Sequence, residues 1–115
     1  MDSVSLLIGL SNVGVAALAA GLAVPLVRGT VKRNALYGIK TVRALASDEA
    51  WYRTNRFGGW RMLGWSVPVF GLGLVALAIP LSERPGLALA LSLAPLLYLG
   101  VAWDVHRYEQ GHPPD

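Results

Sequence analysis

The residues best suited to chemistry lie in one polar stretch, residues 34–55, between two long apolar segments. The stretch contains amides, aromatic rings and charges of both signs. Amides and charged groups make directional hydrogen bonds and a tryptophan offers a large packing surface, so this mixture indicates binding. The candidate binding residues of the stretch and its border are Asn34, Tyr37, Lys40, Thr41, Asp48, Trp51, Asn55 and Arg56.

Part of this stretch is predicted to be helical from about residue 48. Ser47 is a suitable N-cap, and the acids Asp48 and Glu49 suit the positive end of the helix dipole. At 100° per residue, one face about 80° wide collects four residues, namely Asp48, Trp51, Asn55 and Gly58. The spacing also fits an aromatic belt whose polar neighbours simply face water, so it leaves both interpretations open.

The helices that position these residues can be predicted from an unusually apolar composition. Of 115 residues, 54% are hydrophobic and 15% are charged, against about a quarter charged in soluble domains. Mean hydropathy is +0.48. Three segments lack any charge, at residues 4–27, 62–81 and 86–103. As helices they would be roughly 36, 30 and 27 Å long, against about 30 Å of hydrocarbon. We therefore expect an all-α, polytopic membrane protein with three transmembrane helices.

The chain is predicted to form a single membrane domain, residues 1–115. Its parts are a transmembrane helix at about 4–27, a connector at 28–61 that is ordered and partly helical, transmembrane helices at about 62–81 and 86–103, and a tail at 104–115. The first segment is longer than the apolar part of a signal peptide and lacks a basic start, so we expect it to be retained. Gly58-Gly59 could bend the connector helix, or the helix could run straight into the second span.

The basic residues predict the orientation. Eight of the ten lie between Arg28 and Arg61 and one in the tail, while Arg84 alone lies between the second and third spans. The positive-inside rule then places the N-terminus outside and both the connector and the C-terminus in the cytoplasm. No nucleic-acid recognition motif accompanies this basic charge, so we expect no nucleic-acid partner.

Helix packing in lipid depends on small residues, which let backbones approach closely. The third segment has them at every fourth position, namely Gly86, Ala90 and Ala94. Such stripes suit a homo-oligomer as well as a monomer. Pro68 and Pro95 each remove a backbone donor and are predicted to bend their helices. Asn12 is predicted to make an interhelical contact.

The sequence gives little support for catalysis, and we expect no enzyme. There is no cysteine, so thiolate chemistry and thiolate metal sites are excluded. Asp48 and Glu49 are adjacent and diverge on a helix, which makes them a poor acid–base pair. His106 and His112 are too far apart along the tail to indicate a metal site. We expect no metal and no cofactor.

The connector resembles the signature of the SdpI-like family of small bacterial integral membrane proteins, a toxin-immunity family. That signature has an Asn before a Tyr-Gly-x-Arg-Thr element, then a Leu, a Ser-acid pair, a Trp and an Asn-Arg-x-x-Gly ending. The matching residues are Asn34, Tyr37, Gly38, Ile39, Lys40, Thr41, Leu45, Ser47, Asp48, Trp51, Asn55, Arg56 and Gly59. Pro25 and Leu26 also fit. Lys40 replaces the usual Arg, which keeps the charge but loses the bidentate fork, and Ala44 replaces a frequent Thr.

The resemblance implies a multi-pass protein of the bacterial cytoplasmic (inner) membrane. It also implies toxin-peptide immunity or membrane signalling, by binding through the cytoplasmic connector. The partners to consider are a peptide toxin, a cytoplasmic regulator and membrane lipids, including anionic headgroups at the connector. The alternatives are a small transporter or an anionic-lipid-binding protein, and a purely structural role in which the connector residues cap one another. No charged residue lies inside a predicted span, which disfavours an ion relay.

Overall fold

The computed structural model describes residues 2–112. Met1 and residues 113–115, the last three of the predicted tail, lie outside that range. Within it there are α-helices and 3₁₀ turns but no strands. The α-helices are α1 (Ser3–Arg28), α2 (Val42–Leu45), α3 (Asp48–Ala78), α4 (Pro85–Ser92) and α5 (Leu99–Gln110). The 3₁₀ turns are Leu81–Glu83 and Ala94–Tyr98.

Three helical segments are long and apolar enough to cross a membrane: Ser3–Arg28, Asp48–Ala78 and Pro85–Gln110. The last consists of α4, the second 3₁₀ turn and α5. The bundle measures 53 × 25 × 19 Å, so its long axis exceeds the hydrocarbon thickness of about 30 Å. The prediction of an all-α protein with three candidate transmembrane helices is confirmed.

The second long helix begins in the connector and enters the span without a break. Ser47 is its N-cap as predicted, because its hydroxyl oxygen accepts from the Ala50 N–H at 3.0 Å. The helix continues through Gly58-Gly59 and Pro68 to Ala78. The connector helix and the second span are therefore one element, so residues early in α3 are held rigidly relative to the membrane.

The third span is interrupted where Pro95 lacks the N–H that would bond to the Leu91 carbonyl. The chain forms a 3₁₀ turn there, over Ala94–Tyr98. The side-chain amide of Asn12 on α1 donates to the Leu91 oxygen at 2.9 Å and is 1% exposed. The predicted interhelical contact of Asn12 is thus confirmed, and it satisfies the acceptor that the proline leaves free.

Helices α1 and α3 pack closely through glycines. A Cβ added to Gly9 would lie 3.0 Å from the carbonyl oxygen of Gly73. Near the connector, a Cβ on Gly59 would lie 3.1 Å from the carbonyl oxygen of Ala23. Both contacts bring backbone against backbone, which is how small residues hold helices together in lipid.

The stripe at every fourth residue of the third span is used only in part. Ala94 is buried, but Gly86 and Ala90 are exposed, and no atom lies within 4 Å of a Cβ placed on Gly86. The third span is joined to α3 by polar and aromatic contacts instead. The Asp104 carboxylate accepts from Arg61 Nε and from Trp65 Nε1, both at 2.8 Å.

The end of the bundle opposite the connector is closed by a short turn. Asp2 is the N-cap of α1, where its carboxylate accepts from the Ser5 N–H at 3.0 Å. The other carboxylate oxygen accepts from the Ser82 N–H at 3.1 Å and from the Ser82 hydroxyl. The bonds from the Ser82 hydroxyl and the Ser5 N–H lower the pKa of Asp2 to about 2. Beneath this turn lies a small apolar cluster of Ala76, Leu81, Ala88 and Leu91.

Candidate functional site: the connector cap

The connector loop, residues 29–47 between α1 and α3, begins at a defined helix end. Gly29 has φ 71°, a left-handed conformation that favours glycine. Its N–H donates to the Leu26 carbonyl at 3.3 Å, and the Thr30 N–H donates to the Pro25 carbonyl at 3.1 Å. This pair of bonds is a Schellman motif, which ends α1 sharply and sets the direction of the loop.

Asn34 shapes the first half of the connector loop. Its Oδ1 accepts from the N–H groups of Leu36 at 2.8 Å and Tyr37 at 2.7 Å. Its Nδ2 donates to the carbonyls of Lys32 at 2.7 Å and Tyr37 at 3.1 Å. A side-chain amide has two donors and two acceptor sites, so all of its hydrogen-bonding capacity is used within the loop.

Asn55 joins α3 to the second half of the loop. Its Oδ1 accepts from the Ile39 N–H at 2.5 Å, and its Nδ2 donates back to the Ile39 carbonyl at 3.2 Å. The same Nδ2 also donates to the Trp51 carbonyl at 3.0 Å, and the residue is 2% exposed. One buried amide therefore satisfies both backbone groups of a loop residue, which an irregular segment otherwise leaves without partners.

Trp51 is the packing centre of this arrangement. It is fully buried, and its Nε1 donates to the Val31 carbonyl at 2.8 Å. Gly38 crosses directly over it at φ 119°, where a Cβ would lie 2.8 Å from both the indole ring and Asn55 Oδ1. Gly58 makes room for Ile39, whose Cδ1 would lie 1.8 Å from a Cβ at that position. The loop can therefore pack this closely on α3 only because positions 38 and 58 are glycines.

All four members of the predicted helix face contact residues 31–39 of the connector loop. Trp51, Asn55 and Gly58 do so through buried contacts. Asp48 does so at the surface, where its exposed side chain pairs with Arg33 at 3.3 Å. The N-cap position of Ser47 places Asp48 at the exposed beginning of the helix, one turn beyond the buried contact.

The connector loop seated on Trp51, Asn55 and Gly58 is called the connector cap below. Two predicted residues tie this cap to α1. The Tyr37 hydroxyl donates to the Leu22 carbonyl, and Arg56 Nε donates to the Val27 carbonyl at 3.3 Å. Both partners lie in the last two turns of α1. The connector loop therefore lies beside the end of α1 as well as on α3.

Lys40 and Thr41 line a groove of about 430 Å³ between the connector loop and the third span. Lys40 is exposed, and its Nζ donates to the Ala35 carbonyl at 2.9 Å. The Thr41 hydroxyl oxygen accepts from the Ala44 N–H at 3.0 Å, which caps α2, and the hydroxyl donates to the Glu109 carboxylate. Both of these predicted site residues therefore border a concave surface.

Arg43 was missed by the sequence analysis. Its guanidinium donates to the carbonyls of Glu109 and His112, at the end of α5. The Tyr108 ring stacks between Phe57 and His112, with centroids 4.2 Å from each. An arginine is a suitable donor for the free carbonyls of a helix end, but the sequence does not indicate which helix end lies nearby.

A comparison with protein families finds one match, to the SdpI/YfhL protein family over residues 30–103. The match covers more than half of the chain. This protein belongs to the SdpI/YfhL family. The resemblance drawn from the connector residues is thereby confirmed, and with three apolar helices the chain is an SdpI-like, multi-pass membrane protein.

No curated protein and no solved structure matches this family member significantly. The family match begins in the connector loop and ends at Trp103, so it contains all eight predicted binding residues. It omits α1 up to Arg28. The matched part is thus the cap together with α3 and most of the third span, the same part in which the network of Asn34, Trp51 and Asn55 is found.

Proposed function

We propose that this SdpI-family protein acts by binding, in toxin-peptide immunity or membrane signalling, through its connector on the cytoplasmic side. The observation that carries the proposal is that the family match includes residues 30–47 of the ordered connector loop. A loop already held in one conformation loses less conformational entropy when it binds a partner. The excess of basic residues on the connector side supports the cytoplasmic orientation.

The residues divide between two tasks in this proposal. Asn34, Trp51 and Asn55 are occupied by bonds within the chain and keep the cap in shape. Lys40 and Arg56 are exposed and supply charge to a partner, with Thr41 beside Lys40 in the groove. Binding accounts for these residues without any catalytic step, so we propose no enzymatic activity.

The test is to delete the gene in its host and challenge the cells with membrane-active peptides. Immunity predicts greater sensitivity on deletion, restored by the wild-type gene. Lys40→Gln should leave the protein level unchanged but reduce protection, because it removes an exposed charge. Arg84→Gln, at the opposite end of the bundle, is the matched control and should protect fully.

Asn55→Ala separates folding from binding in the same experiment. It should lower the amount of protein in the membrane, because it leaves the backbone groups of Ile39 without partners. Unchanged sensitivity on deletion would overturn immunity. Full protection by Lys40→Gln at the wild-type protein level would overturn the assignment of Lys40 as a contact.

A further inference from the structure

Two apolar side chains of the connector loop are exposed almost completely. Leu36 is 92% exposed and Val42 is 89% exposed, more than Leu7 at 70% within α1. They differ in what their neighbouring residues contact.

The ion pair of Arg61 and Asp104 marks the edge of the hydrocarbon layer on the connector side. Charged groups are costly inside the bilayer, and this pair has its Nε and Oδ2 atoms 2.8 Å apart, with the Arg61 side chain 49% exposed. From Met62 to Ala78, α3 provides about 25 Å of uncharged helix, close to the roughly 30 Å of a hydrocarbon core.

A side chain next to Leu36 reaches the level of this edge. Gly59, two residues before Arg61, packs against the carbonyl of Ala23 on α1. The Tyr37 hydroxyl donates to the carbonyl of Leu22, the residue next to Ala23. Tyr37 therefore reaches the boundary level, and its neighbour Leu36 has a side chain that the protein leaves uncovered.

Val42 begins α2, and its neighbours Thr41 and Arg43 are bonded to Glu109 at the end of α5. Glu109 is five residues beyond Asp104, which corresponds to about 7.5 Å along a helix. Leu36 and Val42 are thus similarly exposed residues of one loop with different neighbours: Leu36 is next to a side chain that reaches the boundary level, and Val42 is next to side chains that bind the end of α5.

Basic side chains surround the end of α1. Arg28 and Lys32 are exposed, and residues 28–47 contain no acid. Arg56 lies against the same helix end, where its Nη2 would be 3.1 Å from a Cβ on Gly29. Such a collar at the headgroup level suits the phosphate groups of anionic lipids.

We propose that Leu36 is inserted at the edge of the hydrocarbon layer and that Arg28, Lys32 and Arg56 bind phosphate groups of anionic phospholipids around it. An apolar anchor and a basic patch are the two signals that together hold a segment at a membrane surface. The inference goes beyond the proposed function, because it holds whether or not a peptide or regulator binds.

The first test uses the absence of native cysteine. Leu36→Cys and Val42→Cys each receive an environment-sensitive fluorophore, and the full chain is reconstituted into vesicles of phosphatidylcholine and phosphatidylglycerol in equal amounts. The label at position 36 should be quenched by doxyl-labelled lipid, and the label at position 42 by a water-soluble quencher. Equal quenching of both labels by the water-soluble quencher would overturn the insertion of Leu36.

The second test measures lipid preference. The ratio of phosphatidylglycerol to phosphatidylcholine retained by the purified protein should fall about fivefold for each of Arg28→Gln and Lys32→Gln. Each basic residue near an anionic surface contributes about 1 kcal/mol of attraction, which corresponds to about a fivefold change in binding. Arg84→Gln is the matched control, on the opposite side of the bundle, and should retain the wild-type ratio. An unchanged ratio in the double variant of Arg28 and Lys32 would overturn the phospholipid site.

Discussion

The two ends of the bundle are closed in different ways. At the connector end, a buried amide and a buried indole bond to the backbone of a long loop. At the opposite end, the Asp2 carboxylate bonds to Ser82 in a short turn above a small apolar cluster. A long loop loses more conformational entropy on ordering than a short turn, so it needs more buried contacts to stay ordered.

The stability of this fold should therefore be concentrated at the connector end. The short turn between the second and third spans contains Pro80 and Pro85 and is held by a few bonds to Asp2 and Ser5 at the start of α1. The connector loop depends on particular side chains, above all Trp51 and Asn55. Substitutions at the connector end should therefore lower the free energy of unfolding more than comparable substitutions elsewhere.

Trp51→Ala should have the largest effect. It removes a fully buried ring and the bond from Nε1 to the Val31 carbonyl, so the free energy of unfolding should fall by about 3–5 kcal/mol. Trp60→Ala is the matched control on the same helix, since Trp60 is 59% exposed. Reversible unfolding in detergent micelles measures both, and equal losses would contradict a special role for the cap.

Gly38→Ala should have the next largest effect. At φ 119° a side chain is strained, and its Cβ would lie 2.8 Å from the Trp51 ring, so we expect a loss of about 2 kcal/mol or more. Gly64→Ala in α3 has open space around the new methyl group and should stabilise the helix by about 0.4–1 kcal/mol. The same unfolding measurement applies, and a neutral Gly38→Ala would mean that the loop does not lie against Trp51.

Asn12→Ala should have a smaller effect. It removes the bond to the Leu91 carbonyl within the bundle, and interhelical hydrogen bonds in membranes contribute about 0.6 kcal/mol on average. Ser11→Ala, on the exposed side of α1, is the control. A loss of unfolding free energy as large as that for Trp51→Ala would contradict the expectation that the connector cap contributes more stability than the contacts between spans.

Asp2→Asn should have the smallest effect, and one that depends on pH. The pKa of Asp2 in the folded protein is about 2, below the ordinary value of about 3.9. A lowered pKa contributes stability above the ordinary value, and this contribution is lost as the pH falls towards 2. The stability difference between wild type and Asp2→Asn should therefore shrink from about pH 5 down to about pH 2.

Ser82→Ala tests the cause of that pH dependence. It removes the hydroxyl that contributes most to lowering the pKa of Asp2. Unfolding curves measured at several pH values should then show a weaker loss of stability on acidification than in the wild type. A wild-type pH profile in Ser82→Ala would contradict the role of the hydroxyl.

Much of the fold could be predicted because it depends on local patterns. Charge-free segments of sufficient length indicate the spans, and the helical repeat correctly places Trp51, Asn55 and Gly58 on one face. Ser47 was recognised as an N-cap because that preference is a property of the residue itself. The same repeat places Asp48 on that face, but it lies at the exposed helix start, which explains why it forms a surface pair with Arg33 and not a buried contact.

The partners of the site residues could not be predicted, because they depend on the path of the loop. The bond from Ile39 to Asn55 requires the turn at Gly38; the glycine itself indicates a turn, but not that Asn55 lies opposite it. The contacts of Arg43 require α5 to continue past residue 103 to Gln110. The helical repeat fixes which face a residue lies on, but not what lies opposite that face.

The most direct test of the ordered cap is the hydrogen exchange rate of the Ile39 amide in lipid nanodiscs. Because this N–H donates to buried Asn55, exchange in the wild type should be as slow as in the core of α3. In Asn55→Ala it should accelerate by about tenfold or more, in line with the loss of a buried hydrogen bond. An Ile39 amide that exchanges at the rate of an unstructured peptide in the wild type would contradict a connector seated on α3.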